Sequence, residues 1–194
     1  MDHDRHPRRQ SEPPPPPSEA SLHEAALAYL SRYAASQAAL IRVLDRQCER
    51  WARRAGEEAR AALPALRRIV RDVAARLVAA GAIDDAAFAR SRARTLARSG
   101  RSTRAIAAHL AARGVGESEV NAAVSDDPDS ELAAALAFAR RRRIGPFRQP
   151  GADADPRREL GVLARAGFPM EVATRAMRMD PEAAELVVSR LRRG

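Results

Sequence analysis

The sequence predicts an all-α protein assembled as an array of short helical repeats. Three observations carry this expectation. Apolar residues recur at three- and four-residue spacing, and no segment alternates with period two over the length of a strand. The stretch from Gly81 to Val124 reads as three short helices divided by two glycine turns. Its outline returns, weakened, between Ala133 and Met177. There Leu110-Ala-Ala-Arg-Gly114-Val115 parallels Leu163-Ala-Arg-Ala-Gly167-Phe168, with Val120 six residues after its glycine and Val172 five after its own.

Residues 1–20 are polar, charged and proline-rich, and the Pro13–Pro17 run favours an extended rod with nothing nearby to bury. A disordered tail is expected. Helix is expected from Ser21, where Ser21 and Glu24 form a capping box and Leu22, Ala26, Tyr29, Leu30 and Tyr33 keep helical spacing. Ser36 is a second cap, ahead of Leu40, Val43 and Leu44. Residues 47–64 then show no convincing apolar stripe except around Trp51 and read as an insertion. Pro64 suits a first helical turn, and Leu66, Ile69, Val70, Val73, Leu77 and Val78 form an apolar face that Gly81 ends.

Asp84 caps the next helix, with Asp85 favourably near its positive end. The large apolar contacts of that helix are Phe88 and Leu96, helped by alanines. Ser102 caps a helix carrying Ile106 and Leu110, which Gly114 closes, and Val115, Val120 and Val124 belong to a third. Each such side chain, once buried, contributes about 1.5–3 kcal/mol, so a module this small must lean on its neighbours. A further unit starts near Ser130 with Leu132, Leu136 and Phe138, and Gly145-Pro146 breaks it. Asp155-Pro156, Pro169 and Asp180-Pro181 open the remaining helices. The expected segments are therefore a tail over 1–20 and helical units over 21–83, 84–127 and 128–194.

Charge is the functional signal. The 194 residues carry 34 basic against 25 acidic side chains, net +9, and every basic residue is arginine. From Phe88 to Arg113 there are seven arginines and no acid, whereas residues 114–131 hold six acids and no arginine. Arg90, Arg94 and Arg98 share one helix face, Arg101 and Arg104 continue it past the turn, and Arg113 closes the stretch. A solvated helix normally intersperses acids for i,i+4 pairing, so this face points to an acidic or phosphate-bearing partner. Arg140, Arg141, Arg142 and Arg143 form a second cluster, spread around about one turn of helix, and are expected, with Arg113, to join the partner-binding residues.

Other function classes find little footing. The histidines are isolated, and Cys48 is a lone thiol that no sequence neighbour marks as a nucleophile. No phosphate-cradling GxxxxGK[ST] loop or GxSxG elbow is present. No catalytic residue, cofactor or metal is expected. Aromatic rings are too few for a single-strand stacking platform. The Ser102–Arg113 helix sits where a helix-turn-helix unit would read bases, yet its outward positions are mostly alanine. With no signal peptide and no apolar run near the roughly 18 residues of a membrane span, a cytoplasmic protein without a membrane partner is expected. The expected oligomeric state is a monomer.

The run AGAIDDAAFARSRARTLARSGRSTRAIAAHLAARGV resembles the central repeat of RecX proteins, regulators of the RecA recombinase. AALAYLSRYAASQAALIRVL resembles that family's first repeat, and FARRRRIGPFR with RRELGVLARAGFPMEVATRAM its third. The likeness spans roughly residues 22–194. It departs at Ala39 and His109, which stand where an acidic residue is expected, and at the long 47–64 stretch. The resemblance implies a curved, elongated molecule of three tandem three-helix repeats. It further implies a non-enzymatic protein that lodges on the RecA–DNA filament and restrains its ATPase, recombinase and co-protease activities in DNA repair. A general nucleic-acid-binding helical protein, indifferent to the recombinase, is the alternative.

Overall fold

Small polar side chains start most of the helices. In the computed structural model, which describes residues 14–124, 127–149, 151 and 155–193, Ser18 caps α1 (Glu19–Leu30) and Ser36 caps α2 (Gln37–Ala55). Pro64 sits in the first turn of α3 (Leu63–Ala79). Asp84 caps α4 (Asp85–Arg98) and Ser102 caps α5 (Thr103–Ala112), while α6 (Glu117–Ala123) follows Gly116. Asp127 and Asp155 cap α7 (Pro128–Arg142) and α8 (Pro156–Arg165), each with proline in the first turn. After α9 (Met170–Arg178), Asp180 accepts from the N–H groups of Glu182 and Ala183 to open α10 (Pro181–Arg193). Every regular element among the described residues is helical, as the periodicity predicts.

Three boundaries differ from expectation. Helix α1 starts at Glu19 and not at Ser21, because the Ser18 hydroxyl accepts from Ser21 N–H at 3.2 Å while Ser21 Oγ donates back to the Ser18 carbonyl. The 47–64 stretch begins as a continuation of α2: Leu40, Leu44, Cys48 and Ala52 form one buried stripe, whose last two members are too small to stand out in the sequence. A short 3₁₀ turn over Glu58–Ala62 then leads into α3. Helix α7 starts at Pro128, since Asp127 accepts from the N–H groups of Asp129 and Ser130, both at 3.1 Å.

The chain divides into two compact units, Met1–Ile83 and Asp84–Gly194. In the first, α1, α2 and α3 bury Leu22, Leu40, Leu44, Cys48, Val70 and Val73 completely. Tyr33, expected on the α1 stripe, lies beyond the helix end, exposed, with its ring 5.1 Å from that of Tyr29. Pro14–Pro17 run extended, and the Trp51 indole N–H donates to the Pro14 carbonyl at 2.8 Å. That contact gives the end of the expected tail a partner on α2; residues 1–13 lie outside the described residues.

In the second unit, α4, α5 and α6 close around Leu96, Ile106, Leu110, Val115 and Val120. The helices α7 to α10 close around Leu132, Leu136, Leu163, Phe168 and Val188, with α10 packed on α7 as a fourth helix after the repeat-like α7–α9 outline. The internal match holds at hydrogen-bond level. Gly114 and Gly167 adopt left-handed backbone (φ 79° and 93°), and the next residue's N–H returns to the leucine carbonyl five back: Val115 to Leu110 and Phe168 to Leu163, both at 3.2 Å. The match is closer than the sequence suggests. Helices α6 and α9 both start three residues after their glycine, so Ala173, fully buried six residues after Gly167, takes the place of Val120. Val172, only half-buried, does not.

Candidate partner-binding face

Helix α4 turns Ala89, Ala93 and Leu96 inward. The 3.6-residue period then leaves Arg90, Arg94 and Arg98 outside, and all three are exposed. The α4–α5 turn adds Arg101, and the first turn of α5 adds Arg104, both exposed. Among the described residues none of these five guanidinium groups forms an ion pair or hydrogen bond. A cation cluster of this kind repels itself unless a counter-charge arrives from outside.

Arg92 behaves differently. It is half-buried, and its Nε donates to His109 Nε2 at 3.3 Å, so the imidazole accepts as the neutral form. Burial, followed by the charges of Arg92, Arg113 and Arg101, holds His109 below its usual pKa. The histidine that stands in place of an expected acid thus keeps hydrogen-bonding capacity for Arg92 without adding negative charge to the face. Arg113 is exposed at the end of α5.

The second arginine cluster is tied to the protein's own fold. Arg140 pairs with Glu185 of α10 at 3.1 Å. Arg141 reaches the Gly100 carbonyl at 3.4 Å, and the guanidinium groups of Arg141 and Arg142 lie 5.8 and 5.5 Å from the centre of the Phe138 ring. Arg143 ends α7 in left-handed backbone, φ 55°, the conformation that glycine supplies elsewhere. The acids of 114–131 are also partly structural. Asp127 caps α7, and Glu131, only 8% exposed, receives the Thr103 N–H.

Sequence reading missed an apolar cleft of about 260 Å³ beside this face. Ala93 and Ala97 of α4, Ile106 of α5, Ala123 and Val124 at the end of α6, Ala134 of α7 and Leu191 of α10 line it, with Arg94, Arg98 and Arg101 beside them. The only sequence signal was the run of alanines on helices with few large apolar residues. Elsewhere the expected roles hold: Asp84 caps α4 by accepting from Ala87 N–H at 2.8 Å and Phe88 packs half-buried on the core. Cys48 is fully buried, which pushes its thiol pKa up. No group of three or more His, Cys, Asp or Glu side chains among the described residues could hold a metal ion. No described helix is long and apolar enough to cross a membrane.

Fold and face together define an all-helical repeat protein whose cationic surface has no ion-pair partner among the described residues. Comparison with known proteins gives that class a family. The family model for the second three-helix domain of RecX matches residues 84–124, the segment that carries the arginine face. The regulatory protein RecX of Myxococcus xanthus is 42% identical over 164 residues, covering 82% of this chain and 86% of that protein. The regulatory protein RecX of Agrobacterium fabrum is 38% identical over 109 residues, covering 56% and 58%. A crystal structure of regulatory protein RecX shares the fold with TM-score 0.61 at 24% identity, over 83% of this chain and 72% of that one. The chain belongs to the RecX family of regulatory proteins.

Proposed function

We propose that this protein regulates the RecA recombinase by binding its filament on DNA through the arginine face of α4 and the α4–α5 turn, restraining ATPase, recombinase and co-protease activity. The observation that carries the reading is the set Arg90, Arg94, Arg98, Arg101 and Arg104: exposed, without a counter-charge among the described residues, and within the segment matched by the family model. A filament of protein wrapped on DNA offers both carboxylates and phosphates to such a face. The protein acts by contact and not by chemistry. Its thiol is buried, and its one described histidine hydrogen bond serves Arg92.

The test is the ATPase rate of RecA on single-stranded DNA, titrated with this protein, beside binding of the protein to bare DNA. Loss of ATPase at substoichiometric amounts, with weak binding to bare DNA, is the expected result. Inhibition only when the protein coats the DNA would replace this reading with general nucleic-acid binding. That alternative draws on the same arginines, and its affinity would fall with salt at a log–log slope of about −0.9 per phosphate neutralised.

A further inference from the structure

We propose that the cleft bounded by α4, α5, α6, α7 and α10 is a docking groove for an acidic amphipathic helix of a partner protein. An apolar side chain of that helix fills the cavity, and its flanking carboxylates pair with Arg94, Arg98 and Arg101. The inference rests on the reading that this face meets a partner, and it adds what kind of surface lands there.

The floor sets the first requirement. Ala93, Ala97 and Ala123 stand where larger side chains would interdigitate, and the space they leave, about 260 Å³, has the scale of one large or two moderate apolar side chains. Apart from Thr103, Ser130 and Glu131 on its α5–α7 side, the lining offers water few hydrogen bonds, so an apolar group that enters gains the transfer free energy of its own surface. The flanking charge sets the second. Arg94 and Arg98 are four residues apart, about 6 Å along α4, the same rise that separates i and i+4 carboxylates on a partner helix. With Arg101 they have no counter-charge among the described residues.

Together the two requirements select among polyanions. A nucleic-acid backbone would satisfy the arginines but gain nothing from an apolar floor, and no aromatic ring lines the cleft to stack a base. A groove between helices takes a helix by i, i+3/i+4 anchoring, whereas strand addition needs a sheet edge and a polyproline segment needs aromatic walls, and neither occurs here among the described residues. The wall is held in place: Glu131 at its α7 side is bonded to Thr103 at its α5 side.

The probe is a fluorescein-labelled synthetic helical peptide with one leucine stripe and glutamates at i,i+4 beside it, bound to the full chain and read by anisotropy. Its leucine-to-alanine form keeps the charge, its glutamate-to-glutamine form keeps the stripe, and labelled oligothymidylate supplies phosphates without an apolar face. Binding of the parent peptide is expected, weakened about tenfold or more by either peptide change. Filling the cleft with Ala123→Phe, or more gently with Ala97→Leu, should weaken it as much, with the fold checked by circular dichroism. Equal affinity for the leucine-to-alanine peptide on the unaltered protein would overturn the proposal and needs no variant. Displacement of the peptide by oligothymidylate, with the filling variants binding normally, would overturn it in favour of phosphate. RecA ATPase is followed in parallel. A filament indifferent to the unaltered protein would sink the regulatory reading, while the peptide affinities still judge the cleft.

Discussion

The carboxylate of Glu131 on α7 closes the N-terminus of α5, with its two oxygens 2.9 and 3.2 Å from the Thr103 N–H. The residue before Thr103 makes a second tie. Ser102 Oγ accepts from Ala105 N–H at 3.3 Å and donates to the Ala166 carbonyl, beyond α8, at 2.7 Å. Adjacent residues thus fasten α5 to two helices of the following repeat. The negative charge of Glu131 also faces the positive end of the α5 dipole. An acid that stands in the sequence only as one of the six acids of residues 114–131 is a cap supplied by the neighbouring repeat.

Glu131→Ala is therefore expected to destabilise the second unit by about 1.5–3 kcal/mol, the range for a hydrogen bond to a charged group. Ser102→Ala removes a cap worth about 1 kcal/mol and strands the Ala166 carbonyl as well. Urea denaturation followed by far-ultraviolet circular dichroism measures both. A Glu131→Ala midpoint equal to that of the parent protein would show that the tie contributes nothing.

Left-handed helix ends give a graded series. A Cβ on Gly100 (φ +74°) would stand 2.6 Å from the Phe138 backbone nitrogen, whereas one on Gly81 (φ +71°) meets nothing within 4 Å. Gly81→Ala should cost only the conformational strain, about 1–2 kcal/mol. Gly100→Ala should cost clearly more, because α4 and α7 must separate. Arg143 already carries that strain, so Arg143→Gly should stabilise by a few tenths to about 1 kcal/mol once the added freedom of the unfolded glycine is counted. Thermal melts of the three variants rank them.

His109 makes stability depend on pH. Its folded pKa lies below the ordinary 6.5, so the unfolded chain binds the proton more readily. The contribution is fully present above 6.5 and is lost as pH falls through the folded value, when a cation appears beside Arg92, Arg101 and Arg113. Glu159 also has a lowered pKa, held down first by its hydrogen bond from Arg148, but its loss falls below 4.5. Denaturation midpoints should decline as pH drops below 6.5, and His109→Gln should flatten that slope while keeping an acceptor for Arg92. An unchanged slope in the variant would assign the decline elsewhere.

The only tryptophan of the chain reports on the proline run. Trp51 donates to Pro14, and Pro14–Pro17 border the same face of α2 as Gln47, Arg50 and Arg54. Pro14→Gly with Pro15→Gly removes the preset extended backbone, so acrylamide should quench indole emission more strongly. Global stability should change by less than about 1 kcal/mol, as for one partly exposed hydrogen bond. Equal quenching in both proteins would mean that the run does not shield Trp51 in solution.

Legibility in the sequence followed the range of the forces involved. Caps act over three residues, so Ser36, Asp84, Ser102 and Asp155 could be read directly. Ser21 is not the cap, because Ser18 three positions earlier competes for the same role. Large apolar side chains announced the cores, but Cys48, Ala52 and Ala173 are as buried as any leucine and too small to mark a stripe. The outward face of α4 was legible because it depends only on helical period and charge. The ties from Glu131 to Thr103 and from Arg140 to Glu185 span 28 and 45 residues, and local spacing carries no trace of them. The cleft was hidden for the same reason: its walls come from five helices, and its signal is the absence of large side chains.

The two arginine clusters should separate in mutagenesis. Arg140 is matched by Glu185, and Arg141 and Arg142 lie near the Phe138 ring, so much of their charge is already answered within the protein. Arg140→Ala should cost up to about 1 kcal/mol of stability, as expected of a partly exposed pair, and weaken filament inhibition little. Arg90 and Arg94 have no such partners among the described residues. Arg90→Glu with Arg94→Glu relieves self-repulsion on α4, so the melting temperature should hold or rise while inhibition of the RecA ATPase weakens strongly. The opposite pattern, with inhibition lost on changing Arg140–Arg143 and kept in the α4 double variant, would move the contact surface to the end of α7.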